Sequence, residues 1–315
     1  MTLNKISFLI IFSIAFTLTS CSTNDDAGQI IDNTPSTFEI IANSPNHNTL
    51  EQLLIDNGLD QVLNDATFTV FAPTDEAFEA IDLSGLSNDE IYKILLYHVL
   101  VGNAQSSDLS NGFVSSQVNE TYSGNGNTLS LYVNVDGGIV LNGISTVTSA
   151  DNSASNGVVH VVDKVMTLPN LATFVSANSN LSNLEIALTQ ENLIPTFNLS
   201  ESPAPFTLFA PNNSAFQNLI DEDLEDGLES IEDILGLDNL TDILTYHVLA
   251  NNALRVKDIT DGMTPTTIEG SSFTLNIEEG NVNITDNNNR VSTIVSTNAT
   301  ATNGVLHVID NVLLP

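Results

Sequence analysis

Four of the chain's five histidines stand in matched settings. Tyr97-His98-Val99-Leu100 recurs unchanged at Tyr246–Leu249, and the eight residues Asn156–Asp163 (NGVVHVVD) return as Asn303–Asp310 (NGVLHVID) with six identities. Histidine titrates near neutrality, so such pairs raise general-base catalysis and metal ligation as first readings. Zinc needs at least three converging ligands. Each copy offers two matched histidines and no cysteine, since Cys21 is the only one in the chain. In HVVD the histidine and Asp163 (or Asp310) lie three apart on a strand and point to opposite faces, which opposes a shared ion. The acidic stretch Asp221–Gly227 is a weak calcium candidate. A loop of the EF-hand kind starting at Asp221 wants glycine at its sixth position, where Asp226 stands, and Gly227 comes one too late. A solvated acidic loop or helix face is the expectation there. No Gly-x-Ser-x-Gly elbow and no phosphate-cradling glycine motif occurs, so neither an enzyme nor a metal or cofactor site is expected.

The elements that carry these residues are themselves repeated. FTVFAPTDEAF at Phe68–Phe78 matches FTLFAPNNSAF at Phe206–Phe216 in seven of eleven positions. Three blocks in one order, twice, define a tandem duplication of a unit of roughly 135 residues. Both copies close on Leu-Pro (Leu168-Pro169, Leu314-Pro315), which puts domains at 37–169 and 170–315. FTVFAP reads as a strand buried on both faces, stopped by Pro73, with Thr74 capping a helix that opens on Asp75 and Glu76. Ser87 and Glu90 have capping-box spacing, and Leu86 with Ile91 fits a hydrophobic staple. From there Ile91, Ile94, Leu95 and His98 share one helix face, as Leu240, Ile243, Leu244 and His247 do. Each histidine is thus expected as a packed ring with its N–H on a nearby carbonyl, and each tyrosine on the flank, partly packed. Asn156-Gly157 turns into a central strand that buries His160, and His307 repeats this. Alternating segments at Leu129–Val135, Phe273–Ile277 and Val282–Ile284 read as antiparallel strands. The class is α+β.

The balance of 39 acidic against 6 basic residues, a formal charge of −33, excludes nucleic acid as a partner. Lys5 and the apolar run Ile6–Leu18 read as an export signal too short to span a bilayer. It stops at Leu18-Thr19-Ser20-Cys21, which resembles a lipobox. Residues 1–20 are therefore expected as signal peptide, Cys21 as the lipidated residue holding the chain on a membrane, and 21–36 as a flexible tether. Ser22 is not an aspartate, and Asp25-Asp26 resembles short acidic export signals, so the outer membrane or cell surface is expected, with the periplasm as alternative.

The ordered set FTVFAPTDEAF, YHVL and NGVVHVVD closing on Leu-Pro resembles the fasciclin (FAS1) domain family over nearly all of the chain after residue 36. The resemblance implies a β-sandwich wedge with packed helices and a non-enzymatic role outside the cell in adhesion or matrix contact. It further implies Tyr97, His98, Tyr246 and His247 as candidate partner-binding residues, the partner being an extracellular protein or glycan. A glycan- or small-ligand-binding surface protein is the alternative. Two departures stand out: the acidic insertion near Asp221–Asp238, and FAPNNSAF, which lacks the acids of FAPTDEAF.

Overall fold

The structure, a computed structural model, describes residues 33–222 and 227–315. The expected signal segment, Cys21, most of the expected tether and residues 223–226 of the acidic insertion lie outside the described residues.

The first repeat runs α1 (Thr37–Ala42), α2 (Asn48–Asp56), α3 (Leu59–Asp65), β1 (Phe68–Pro73), α4 (Asp75–Glu79), α5 (Asn88–Tyr97) and β2 (Val99–Val101). It continues through β3 (Gly112–Asn119), β4 (Thr128–Asn134), β5 (Val140–Leu141), β6 (Ser145–Ala154) and β7 (Gly157–Val162). The second repeat has α6 (Leu171–Ala177), α7 (Ser182–Gln190), β8 (Phe206–Pro211), α8 (Asn213–Glu222), α9 (Ile231–Leu235), α10 (Leu240–Tyr246) and β9 (Val248–Leu249). Its remaining strands are β10 (Thr274–Glu278), β11 (Asn281–Thr285), β12 (Val291–Ala301) and β13 (Gly304–Ile309). The strand orders are β2-β1-β7-β6-β5-β4-β3 and β10-β11-β12-β13-β8-β9. The α+β expectation holds, with helices and sheet in each repeat.

The FTVFAP block is the hub. All six of its residues are buried, and it pairs in parallel with the NGVVHVV strand: Phe71 opposite His160, Phe209 opposite His307. Alternation sends Phe68, Val70 and Ala72 into a core shared with the helices, and Phe71 into a second core shared with Leu129, Leu131 and Val133 of β4. The second repeat divides Phe206, Leu208 and Ala210 from Phe209 in the same way. Thr74 accepts the Ala77 N–H, and Ser87 with Glu90 closes the expected capping box at the start of α5.

Two local devices hold the hub in register. Gly157 (φ 143°) passes so close to β1 that a Cβ there would lie 1.9 Å from the Phe68 carbonyl oxygen; at Gly304 the figure is 2.3 Å from Phe206 O. Only glycine fits. The neighbouring strands β6 and β12 each break register twice, the second time ending at Asn152 and Ala299, and then resume pairing with β7 and β13; such bulges raise the local twist.

The repeats also pack on each other. Phe113 of β3 stacks edge-on against Tyr132 (5.1 Å) and against Phe174 of α6 (5.0 Å). Tyr132 donates to Asn178 Oδ1 at 2.9 Å, and Tyr122 donates to the Gly304 carbonyl at 2.9 Å. Among the described residues no helix is long and apolar enough to cross a membrane.

Candidate functional site

Helix α5 ends at Tyr97, and His98 is its C-cap, φ −83° and ψ 4°. From this position the His98 ring folds back, its Nδ1–H donating to the Ile94 carbonyl at 2.7 Å, while Nε2 accepts the Met166 N–H at 2.9 Å. His247 repeats both bonds, with Ile243 O at 2.7 Å and Leu313 N–H at 2.9 Å. Each ring thus ties a helix terminus to the segment that leaves the central strand. Burial drives both side chains down from 6.5 to about 4, despite the carbonyl bond that opposes it. Both are neutral at pH 7 with a defined tautomer.

His160 and His307 form a second matched pair. His160 Nε2–H donates to Ala104 O at 2.9 Å, and its Nδ1 accepts the Asp151 N–H at 3.1 Å. His307 donates to Leu254 O at 2.9 Å and accepts from Asn298 N–H at 3.2 Å. Asp151 and Asn298 are the left-handed residues of the β6 and β12 bulges, with φ 59° and 57°. Both imidazoles stack on the phenylalanine opposite, Phe71 or Phe209, at 5.5 Å. Burial also drives His307 down to about 4, with Arg255 nearby adding to the fall. The fifth histidine, His47, is buried beside Ser44 Oγ at 2.6 Å.

The tyrosines lie deeper than periodicity indicated. Tyr97 and Tyr246 are both 0% exposed, so the flank position expected for them is corrected. The reason lies at the end of the helix. Tyr97 is the last residue of α5, and at that point the helix flank faces not solvent but the second core on the far side of the sheet, where Tyr97 packs with Leu129 and Leu131. Its hydroxyl donates to Ser130 O at 2.6 Å and accepts from Asn142 Nδ2 at 2.8 Å. Tyr246 donates to Ser272 O at 3.0 Å and meets Phe273 edge-on. Burial pushes both phenols up. With His98 and His247 at 3% and 1% exposure, none of the four candidate partner-binding residues offers a surface atom of consequence. A contact role for the Tyr-His pairs is therefore corrected to a structural one.

Neither histidine pair is a reaction centre. Every ring nitrogen in both pairs is engaged with a backbone group, which leaves no lone pair for a substrate proton or an ion. Among the described residues no group of three or more His, Cys, Asp or Glu converges.

Two further matched staples hold each repeat. Asn156 accepts the Thr37 N–H at 2.8 Å and donates to the Leu63 and Ala66 carbonyls, and Asn303 likewise joins Leu171 N–H to Phe197 O and Leu199 O. Each pins the opening helix of its repeat. Thr69 Oγ1 donates to Gly102 O and accepts from Ala104 N–H, and Thr207 does the same with Asn252 and Leu254. Identity between the copies marks the Asn and the Thr, though in sequence they look like no more than turn and strand formers. The bulge residues Asp151 and Asn298 differ in type and left no such mark.

Surface recesses lie elsewhere. One of about 370 Å³, between the repeats, is lined by Asn111, Phe113, Tyr132, Asn180, Asn212 and Asn213 among others. Another of about 410 Å³ lies beside the acidic insertion, lined by Leu219, Glu222, Leu237 and Arg290 among others. There Arg290 holds Glu222 at 2.7 Å.

Comparison with known proteins agrees with this architecture. The Fasciclin domain model matches residues 45–169 and again 179–315, and the chain belongs to that family. It is 28% identical to human periostin over 267 residues, 81% of this chain and 29% of periostin. It is 29% identical to the pig transforming growth factor-beta-induced protein ig-h3, over 79% of this chain and 35% of that protein. A fasciclin-like arabinogalactan protein from Arthroderma benhamiae is 32% identical over 56% of this chain and 37% of its own length. The chain thus spans about a third of the length of these relatives. Among solved structures it is similar to a FAS1 domain pair from the insect cell adhesion molecule fasciclin I, with a TM-score of 0.50 and 20% identity over 85% of this chain and 96% of that one. The fold is a tandem FAS1 pair.

Proposed function

We propose that this chain is a lipid-anchored, extracytoplasmic adhesion or matrix-interaction protein that acts by contact and not by catalysis. The observation that carries the reading is the tandem FAS1 pair whose repeated His and Tyr groups are all committed to internal packing. A fold that uses its most reactive side chains as staples keeps its loops and outer faces for partners. Anchoring rests on Cys21 at the end of the apolar run, and a place on the outer membrane or cell surface rests on Ser22 and Asp25-Asp26. The test is an array of matrix proteins and glycans probed with the full chain, with and without calcium, alongside membrane fractionation of Cys21→Ala. Saturable capture of one matrix component, and release of Cys21→Ala into the soluble fraction, are expected. A blank array or an unchanged distribution refutes the corresponding half.

A second reading, a glycan- or small-ligand-binding protein, is favoured by the asparagine-lined recess between the repeats, where amides and two aromatic rings stand together. It requires saturable binding of a defined sugar that Asn180→Ala, an exposed change, abolishes.

A further inference from the structure

The duplication supplies an internal control that exposes one residue with no structural reason for its charge. The short turn after β2 is opened by Gln105, and its counterpart after β9 by Arg255. In both repeats the residue just before, Ala104 or Leu254, accepts the histidine N–H and donates to the threonine hydroxyl. The fold accomplishes this with a neutral, half-buried glutamine in the first repeat, so a guanidinium is not required for it.

Arg255 is nevertheless only 6% exposed. Its Nη1 donates to Thr300 Oγ1 at 2.9 Å, its Nη2 has a long 3.4 Å contact with the Tyr122 hydroxyl, and its Nε has no partner. Among the described residues no carboxylate forms an ion pair with it. Glu120, in the same Tyr122 loop, is occupied by the backbone N–H groups of Tyr122 and Ser123, the Ser123 hydroxyl and the Asn127 amide. A buried cation with no carboxylate in ion-pair contact is unfavourable, and a guanidinium is the group that receives an oxyanion in bidentate fashion.

This arginine lines a recess of about 390 Å³ at the seam of the two repeats, together with Lys257, which is exposed. Two of the chain's six basic residues therefore share one recess on a molecule of net charge −33. The rest of the wall is neutral and hydrogen-bonding, with Ser115, Asn127, Thr128 and Asn298 among its residues. We infer that the seam between the repeats is an anion site that takes one carboxylate or sulfate group, carried by a hydroxylated small molecule of the sugar-acid class. The two cations receive the oxyanion, and the amide and hydroxyl wall receives the ring hydroxyls. The site holds residues of both repeats, so a ligand there also bridges them. It stands independently of the adhesion reading.

The test is titration calorimetry of the full chain in nonionic detergent with sodium glucuronate, sodium sulfate and, as the uncharged counterpart, glucose, at constant ionic strength in chloride. Saturable binding of glucuronate is expected and none of glucose. Binding of glucuronate in preference to sulfate assigns the site to a sugar acid, and the reverse assigns it to a free oxyanion; both uphold an anion site. Lys257→Ser, an exposed change, weakens binding roughly fivefold. Arg255→Lys weakens it about tenfold or more, because an ammonium keeps the charge and loses the fork. Arg255→Gln, which copies Gln105, abolishes it; if that variant fails to fold, the Lys257 and Arg255→Lys variants still decide. Absence of saturable binding by both anions, or binding unchanged in folded Lys257→Ser and Arg255→Lys, overturns the inference.

Discussion

Three histidines that are neutral and buried at pH 7 make the stability of this protein a function of pH well above the carboxylate range. His98, His247 and His307 each fall from 6.5 to about 4 on folding, chiefly through burial. The unfolded chain therefore takes up protons first as the pH drops. Stability owed to the neutral rings is complete above 6.5, is lost as the pH falls toward 4, and levels off below that. Between pH 7 and pH 5 the loss is just under about 2 kcal/mol per histidine, or roughly 5–6 kcal/mol for the three. That is comparable with the whole stability of many domains, about 5–15 kcal/mol. Acidic groups do not obscure the window. Asp75, Glu90 and Asp151 are held below the usual carboxylate range, by burial-opposed backbone and side-chain donors at Asp75 and by Ser87 and Ser106 at the other two, and their contribution is lost only at lower pH. The assay is urea unfolding of the compact unit Thr34–Pro315, followed by circular dichroism at pH 7, 6 and 5 and fixed ionic strength. A midpoint that is flat or rises between pH 7 and 5, with unchanged m, refutes the neutral-staple assignment.

Other changes probe single links in the same network. Tyr97→Phe removes a hydroxyl with two buried partners and is expected to lower stability by about 1–3 kcal/mol, more than Tyr246→Phe, whose hydroxyl has one such bond; chemical denaturation of both variants measures the difference. Asn303→Ala leaves the Leu171 N–H and the Phe197 and Leu199 carbonyls unpaired, a loss of roughly 3 kcal/mol, and hydrogen exchange should show the α6 amides losing protection first. Gly157→Ala places a methyl group against the Phe68 carbonyl and is expected to abolish folded protein, read as loss of soluble expression, whereas Gly85→Ala, with open space around it, is expected to fold.

Much of the architecture was legible because the chain is written twice. Periodicity and repeated blocks located the buried FTVFAP strand, the capping box at Ser87, the central His160 strand and the burial of His98, since each depends on near neighbours in sequence. Repetition itself signalled packing, for core positions of two like domains face like constraints while their loops do not. The depth of Tyr97 was not legible, because a helical period sees one apolar side and cannot report a second core across the sheet. Nor were the partners of the staples. The Met166 N–H that reaches His98 and the Thr37 N–H held by Asn156 lie 68 and 119 residues away, and only the folded chain brings them within a hydrogen bond. Arg255 shows the same division. Its rarity in an acidic chain was visible in the sequence, but its burial at the seam, with Nε unpaired, was decided by how the two repeats pack.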